Sequence, residues 1–146
     1  ASYRGMMMLT GIEHAKAKGN PHIVISEDGK AAVWAGAIDD LWKLGKPVGH
    51  GGPWLETEVK AREKSDPFLI GFYDKREMTL SHAASSEVVF TVEVDPTGDG
   101  QWFKYADFEV KPGASFKHKF PKAFQARWIR VSTNVDTKAT VSFEYR

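Results

Sequence analysis

Cysteine is absent from this 146-residue chain. That excludes disulfides, thiolate metal centres and a cysteine nucleophile, though it does not fix a compartment. Charge of one sign is absent too. Twenty basic residues face nineteen acidic ones, for a net charge of +1, and the two signs are interspersed. With no basic stripe, electrostatics give no reason to expect nucleic acid as a partner. No apolar run approaches membrane-spanning length, so no membrane partner is expected. Met6-Met7-Met8-Leu9 is too short for the apolar core of a signal peptide. There is no internal repeat, low-complexity tract, P-loop, GxGxxG, nucleophile elbow or Ser-His-Asp signature.

What is present is strand grammar. Val88 to Val110 reads as a β-hairpin. Val88, Phe90, Val92 and Val94 alternate with Val89, Thr91 and Glu93 on the first arm. Ala106, Phe108 and Val110 alternate with Tyr105, Asp107 and Glu109 on the second. This period of two marks strands with one face in a core. The joining segment Asp95-Pro96-Thr97-Gly98-Asp99-Gly100 is dense in turn formers.

The N-terminal part is less regular. Thr10 to Lys18 reads as loop or one helical turn. His22 to Ser26 and Ala31 to Ile38 form a hairpin across the Asp-Gly turn at Glu27 to Lys30. Leu41 to Gly45 reads as a short strand or a helical turn capped by an Asp. Gly45 to Pro53, rich in glycine and proline, reads as a loop and the main structural boundary. Beyond it, Trp54–Val59 is expected as an edge strand and Phe68–Tyr73 as a central one. Further strands are expected at Glu77–His82, Ser115–Phe120, Ala126–Thr133 and Ala139–Tyr145.

The expected fold is therefore all-β: an antiparallel, jelly-roll-like β-sandwich with the N-terminal hairpin added to one sheet. Residues 1–50 make the hairpin segment and 51–146 the sandwich, together one compact unit. The expected core comprises Ile23, Ile25, Val33, Phe68, Ile70, Phe72, Leu80, Phe90, Val92, Val94, Phe108, Val110, Phe116, Ile129, Val131, Val141 and Phe143.

Four groups of residues carry candidate chemistry. Asp95 and Asp99, with the carbonyls between them, offer hard oxygen ligands to Ca²⁺ as a possible cofactor; the alternative is a turn whose aspartates cap their own backbone. Trp54, Trp102, Tyr105 and Trp128 lie in or beside loops or out of phase with the core. Flat exposed rings are what the apolar face of a pyranose stacks on. Arg127 and Arg130 flank Trp128. The alternative is that these rings cover the ends of the core. His14, His22, His50, His82 and His118 share no HxH or HxxxH spacing. His50 is the one most suited to face a ligand, whereas His118, between Phe116 and Phe120, reads as a hydrogen-bonded core residue. Among acids, Asp39, Asp40, Glu56 and Glu58 could serve glycoside hydrolysis, which needs two facing carboxylates, but nothing marks their pairing.

Ile38-Asp39-Asp40-Leu41-Trp42-Lys43-Leu44-Gly45-Lys46-Pro47, running into Gly51-Gly52-Pro53-Trp54, resembles the C-terminal region of exported bacterial β-propeller proteins. The similarity continues through Ser65-Asp66-Pro67-Phe68, Thr79-Leu80-Ser81-His82 and Phe120-Pro121 to Arg127-Trp128-Ile129-Arg130-Val131. The resemblance implies the last piece of a propeller blade up to about Gly45, then an appended β-sandwich. It also implies a secreted or periplasmic protein in a polysaccharide setting, and supplies no catalytic residue. The chain departs from it in having no propeller.

The expected function is a non-catalytic module that binds a polysaccharide or oligosaccharide through surface aromatics. A small polysaccharide-active enzyme (hydrolase, lyase or metal-dependent) with a His/carboxylate site is the alternative, and a structural homodimerisation domain the second.

Overall fold

The computed structural model describes residues 2–13, 19–44 and 46–146. Most of the expectation over Thr10–Lys18, and His14 with it, lies outside the described residues. The chain divides into two compact units, Ala1–Gly45 and Lys46–Arg146.

The first unit holds β1 (Ser2–Tyr3), β2 (Met6–Leu9), β3 (Ile23–Ile25) and β4 (Ala32–Gly36), then a 3-10 segment, Ile38–Leu44. The strands pair antiparallel in the order β1-β2-β4-β3. The hairpin is therefore part of a sheet of its own and joins neither sheet of the sandwich. Its turn closes as the Asp-Gly signal requires: Gly29 takes a positive φ, and the Ser26 hydroxyl donates to Asp28 at 2.6 Å. The expected phase of β4 is shifted by one residue. Ala32, Trp34 and Gly36 are buried and Val33 is not, so Trp34 is the core side chain here. Ile25, although opposite the buried Ala32, is exposed. The 3-10 segment resolves the alternatives at Leu41–Gly45 in favour of a helical turn, with the Ala37 amide donating to Asp40.

The second unit is an antiparallel β-sandwich. Its strands are β5 (Gly49–Val59), β6 (Phe68–Leu69), β7 (Arg76–His82), β8 (Val88–Asp95), β9 (Phe103–Val110), β10 (Phe116–Lys119), β11 (Trp128–Thr133) and β12 (Thr137–Tyr145). One sheet has the order β10-β7-β12-β5 and the other β6-β11-β8-β9. Alternation sets the core. Met78, Leu80 and His82 face inward from β7, Val88, Phe90, Val92 and Val94 from β8, and Ala139, Val141, Phe143 and Tyr145 from β12. Full burial of each large apolar side chain contributes about 1.5–3 kcal/mol, which is what holds the two sheets face to face.

Two expectations fail in this unit for backbone reasons. Gly45–Pro53 is not wholly loop, because Gly49 to Pro53 belong to β5 and pair with β12, Gly49 opposite Tyr145 and Gly51 opposite Phe143. A Cβ on Gly52 would lie 1.9 Å from the Val141 carbonyl oxygen, so the two backbones approach this closely only because glycine stands there. Nor is Phe68–Tyr73 a central strand. Only Phe68–Leu69 pairs, at the edge of its sheet, and the chain then turns at Gly71. Phe72 is 76% exposed with φ of +72°, not core. Phe68, Phe108 and Phe116 are partly buried against the core.

Candidate functional site

The outer face of the β6-β11-β8-β9 sheet carries the candidate site. Ile129 and Val131 are fully buried, so strand alternation points Trp128 and Arg130 outward from β11. Register places Trp128 between Leu69 and Asp95, and Arg130 opposite Glu93. The Arg130 Nε donates to Glu93 at 2.7 Å, and Lys64 reaches the same carboxylate oxygen at 3.0 Å. Burial pushes the Glu93 carboxyl up, but Arg130 and Lys64 more than reverse this and hold it below the usual glutamate range. The Arg130 guanidinium lies 4.2 Å from the centre of the Trp102 ring. Trp102 is thereby fixed as a partly exposed plate on the face that Trp128 shares.

The Asp95–Gly100 turn borders this face. Asp95 is buried, and its carboxylate accepts from the amides of Gly98 at 2.7 Å and Gly100 at 2.9 Å. Burial raises its pKa, yet those donors outweigh it and the carboxyl sits below the ordinary aspartate value. Asp99 is exposed and accepts from the amide of Gln101. Both aspartates thus bind the backbone of their own turn. Among the described residues, no group of three or more His, Cys, Asp or Glu is gathered as a metal site. Gly98 takes φ of +82°, and a Cβ there would press on Arg127 Cδ at 2.6 Å and approach Trp128 Nε1 at 3.4 Å. The turn is therefore seated closely over Trp128.

The other candidate residues lie elsewhere. Trp54 is buried opposite Val141 in the core and presents no face to a ligand. It was expected at a loop end, and the extension of β5 carried it inward. Tyr105 leaves Trp102's side altogether. The hairpin register shifts at Val92/Glu93, with Ala106 opposite Val92 and Lys104 opposite Glu93. Tyr105 is the extra residue of this bulge. It packs against the core, its hydroxyl 2.9 Å from His118 Nε2 and its ring within 5.5 Å of Phe120 and Phe124. Burial raises the Tyr105 phenol and lowers His118, which keeps both groups neutral and favours a hydrogen bond donated by the phenol hydroxyl to the imidazole Nε2. His118 is thus the hydrogen-bonded inward histidine that its position implied. His50 is exposed on β5, the edge strand of the sheet that does not carry the candidate site; it pairs there with Glu144 of β12 and lines an open hollow with Val48 and Arg146. Asp39 and Asp40 fall in the N-terminal 3-10 segment, while Glu56 pairs with Lys138.

Sequence reasoning missed Lys64 and Glu93 as members of the site. Only the phase of Glu93, outward between Val92 and Val94, pointed to it. It also missed Arg76, a buried cation whose hydrogen bonds among the described residues go to backbone carbonyls. Arg76 donates to the carbonyls of Tyr73 and Phe124 and so ties together the loops that follow β6 and β10.

No protein-family model matches the chain, and searches of characterised proteins and of solved structures return no match.

Proposed function

We propose that the sandwich unit is a non-catalytic carbohydrate-binding module whose ligand lies across the outer face of the β11-β8-β9 sheet. The observation that carries this reading is the pair of partly exposed indoles, Trp102 beneath the Arg130 guanidinium and Trp128 beneath the Asp95–Gly100 turn, on one strand face with the Arg130–Glu93 pair beside them. Indole faces offer stacking to pyranose rings, and the guanidinium and carboxylate offer hydrogen bonds to hydroxyls. Two further considerations support it. Reading the strand orders β10-β7-β12-β5 and β6-β11-β8-β9 as a jelly roll adds an analogy with lectin domains, which is an analogy of fold alone. The resemblance to exported propeller proteins adds a polysaccharide setting outside the cytoplasm.

The test pairs affinity electrophoresis through a panel of plant and algal polysaccharides with a reducing-end assay. Retardation without product, lost in Trp102→Ala and Trp128→Ala, is the expected result. Release of reducing ends would make the chain an enzyme. Neither retardation nor product, together with a dimer in sedimentation, would make it an assembly domain.

A further inference from the structure

The two lateral borders of the sandwich differ. Where β9 and β10 run, rings fill the gap between the sheets: Tyr105, His118, Phe120 and Phe124 pack on one another. At the other border, β5 edges one sheet and β6 the other, and a cleft of about 220 Å³ stays open. Thr57, Glu58 and Val59 of β5 form one wall and residues 63–66 the other. That second wall is fastened to β11. The amides of Arg62 and Ser65 donate to the carbonyls of Thr133 and Val131 at 2.7 and 2.8 Å, and the Ser65 hydroxyl accepts from the Val131 amide at 3.0 Å. The first wall is shaped by a bulge, with Leu55 and Glu56 standing against Thr140 alone. Thr57, opposite the buried Ala139, therefore points between the sheets and is nonetheless exposed. Protein does not fill the space before it.

Trp54 is the aromatic of this lining. Its faces belong to the core, and the 8% of it that is exposed opens on the cleft. Its indole N–H makes no hydrogen bond among the described residues and, unlike that of Trp34, is not sealed from solvent. A donor so nearly buried calls for an acceptor. The walls carry negative charge. Glu58, Glu63 and Asp66 make no ion pair among the described residues. The lysines nearby are committed: Lys60 to Asp136 at 2.8 Å, Lys64 to Glu93 at 3.0 Å and Lys138 to Glu56 at 3.0 Å. Asp136 above all, with Glu58 and Glu63 adding, holds Lys60 above the usual lysine range. The carboxylates are too dispersed for one metal ion, because no three acids or histidines are gathered for that among the described residues. A larger cation with several donors fits them. The volume equals about seven waters at roughly 30 Å³ each, room for one ring and not for a chain.

We propose that this cleft is a subsite for an amino sugar at the margin of the glycan face. The sugar's ammonium sits among Glu58, Glu63 and Asp66, and one of its oxygens accepts from the Trp54 indole N–H. This rests on the binding reading above. Lys64 joins the two places: it lines the cleft and pairs with Glu93, which also holds Arg130 over Trp102.

The experiment is calorimetry with a glucosamine oligosaccharide, its N-acetylated counterpart, a cello-oligosaccharide and spermidine. The proteins are wild type, Glu63→Gln, Trp54→Phe and Trp102→Ala, each with a melting curve. The glucosamine oligosaccharide should bind wild type most tightly, and less tightly as salt rises. Glu63→Gln should bind it about tenfold more weakly at an unchanged melting midpoint, because one charge-assisted hydrogen bond is lost. Trp54→Phe removes the N–H and should weaken binding too; if that variant does not fold, Glu63→Gln decides alone. Equal binding of the N-acetylated oligosaccharide would overturn the proposal, since the ammonium is then not what the cleft reads. Spermidine binding as tightly as the oligosaccharide would overturn it as a sugar site. If Trp102→Ala loses the glucosamine oligosaccharide and Glu63→Gln does not, the cleft is wrong and the glycan face stands. If no oligosaccharide binds wild type, the cleft is wrong whatever the polysaccharide panel shows for the face.

Discussion

At one edge of the sandwich Tyr105 is enclosed by His118, Phe120 and Phe124, with its hydroxyl committed to the imidazole. On the outer face, Trp102 meets the guanidinium of Arg130 and is only partly exposed. The two residues are three apart in sequence and belong to the same hairpin. Alternation alone puts residues three apart on opposite sides of a strand. The bulge then turns Ala106 to Tyr105's side, so Tyr105 faces inward although Asp107 and Glu109, which share its parity, face out. The lesson concerns what the rings are for. Those in the seam close the sandwich where β9 and β10 form the edges of different sheets. Those on the face lie outside the core and are held by Arg130 and by the Asp95–Gly100 turn.

The sharpest way to break this contrast is to truncate one ring of each kind. Phe120 is buried and touches Tyr105, His118, Phe124 and Phe143. Phe120→Ala should destabilise by about 3–5 kcal/mol in denaturant unfolding, as lost burial and a new cavity combine. A loss under about 1 kcal/mol would show that the seam is not part of the core. Trp102→Ala should cost only the cation–π contact and its partial burial, about 1 kcal/mol. If it instead unfolds the protein, the outer face is structural and the binding reading loses its main support.

A smaller effect sharpens the seam's chemistry. Burial lowers the folded-state pKa of His118 below its unfolded value. The unfolded chain then binds the proton more readily, so the contribution to stability is complete above the unfolded value, near pH 6.5. It is lost as the pH falls below that value toward the folded one. A melting series from pH 8 to pH 5 should show this decline, and His118→Gln should flatten it. An unchanged slope in the variant would remove His118 as its source.

The smallest expected effect is on the turn. Asp95 already satisfies the amides of Gly98 and Gly100. Chelator is therefore expected to leave the melting midpoint in place, whereas a fall that Ca²⁺ restores and Asp99→Ala abolishes would establish an ion there.

Much of the fold was legible because strands with one buried face write their phase into the sequence. β7, β8 and β12 alternate buried and partly exposed residues almost without exception, and the residues facing inward are those the pattern nominates. What was not legible depended on distant backbone. Glycines at 49, 51 and 52 look like a loop until β12 is laid beside them. Val33 outranks Ala32 in hydrophobicity, but Trp34 decides the phase of β4. The site was half visible. Trp128 stood out of phase with Ile129 and Val131, which is a local signal, and its flanking arginines were apparent. The pairing of Arg130 with both Glu93 and Trp102 needs three chain segments at once and has no local trace. Nor has the left-handed backbone of Phe72, beyond the glycine before it.

The close seating of β5 on β12 has a further consequence, for assembly. β5 is an outer strand, and its unpaired side would ordinarily invite another strand to add there. Along it Pro53 lacks an amide, Glu56 adopts φ of +47°, and the register against β12 shifts twice. An incoming strand would find donors missing and out of step. A second copy of the chain should therefore not extend the sheet across this border; among the described strands, the other borders are β6, β9 and β10 in the sandwich and β1 and β3 in the first unit.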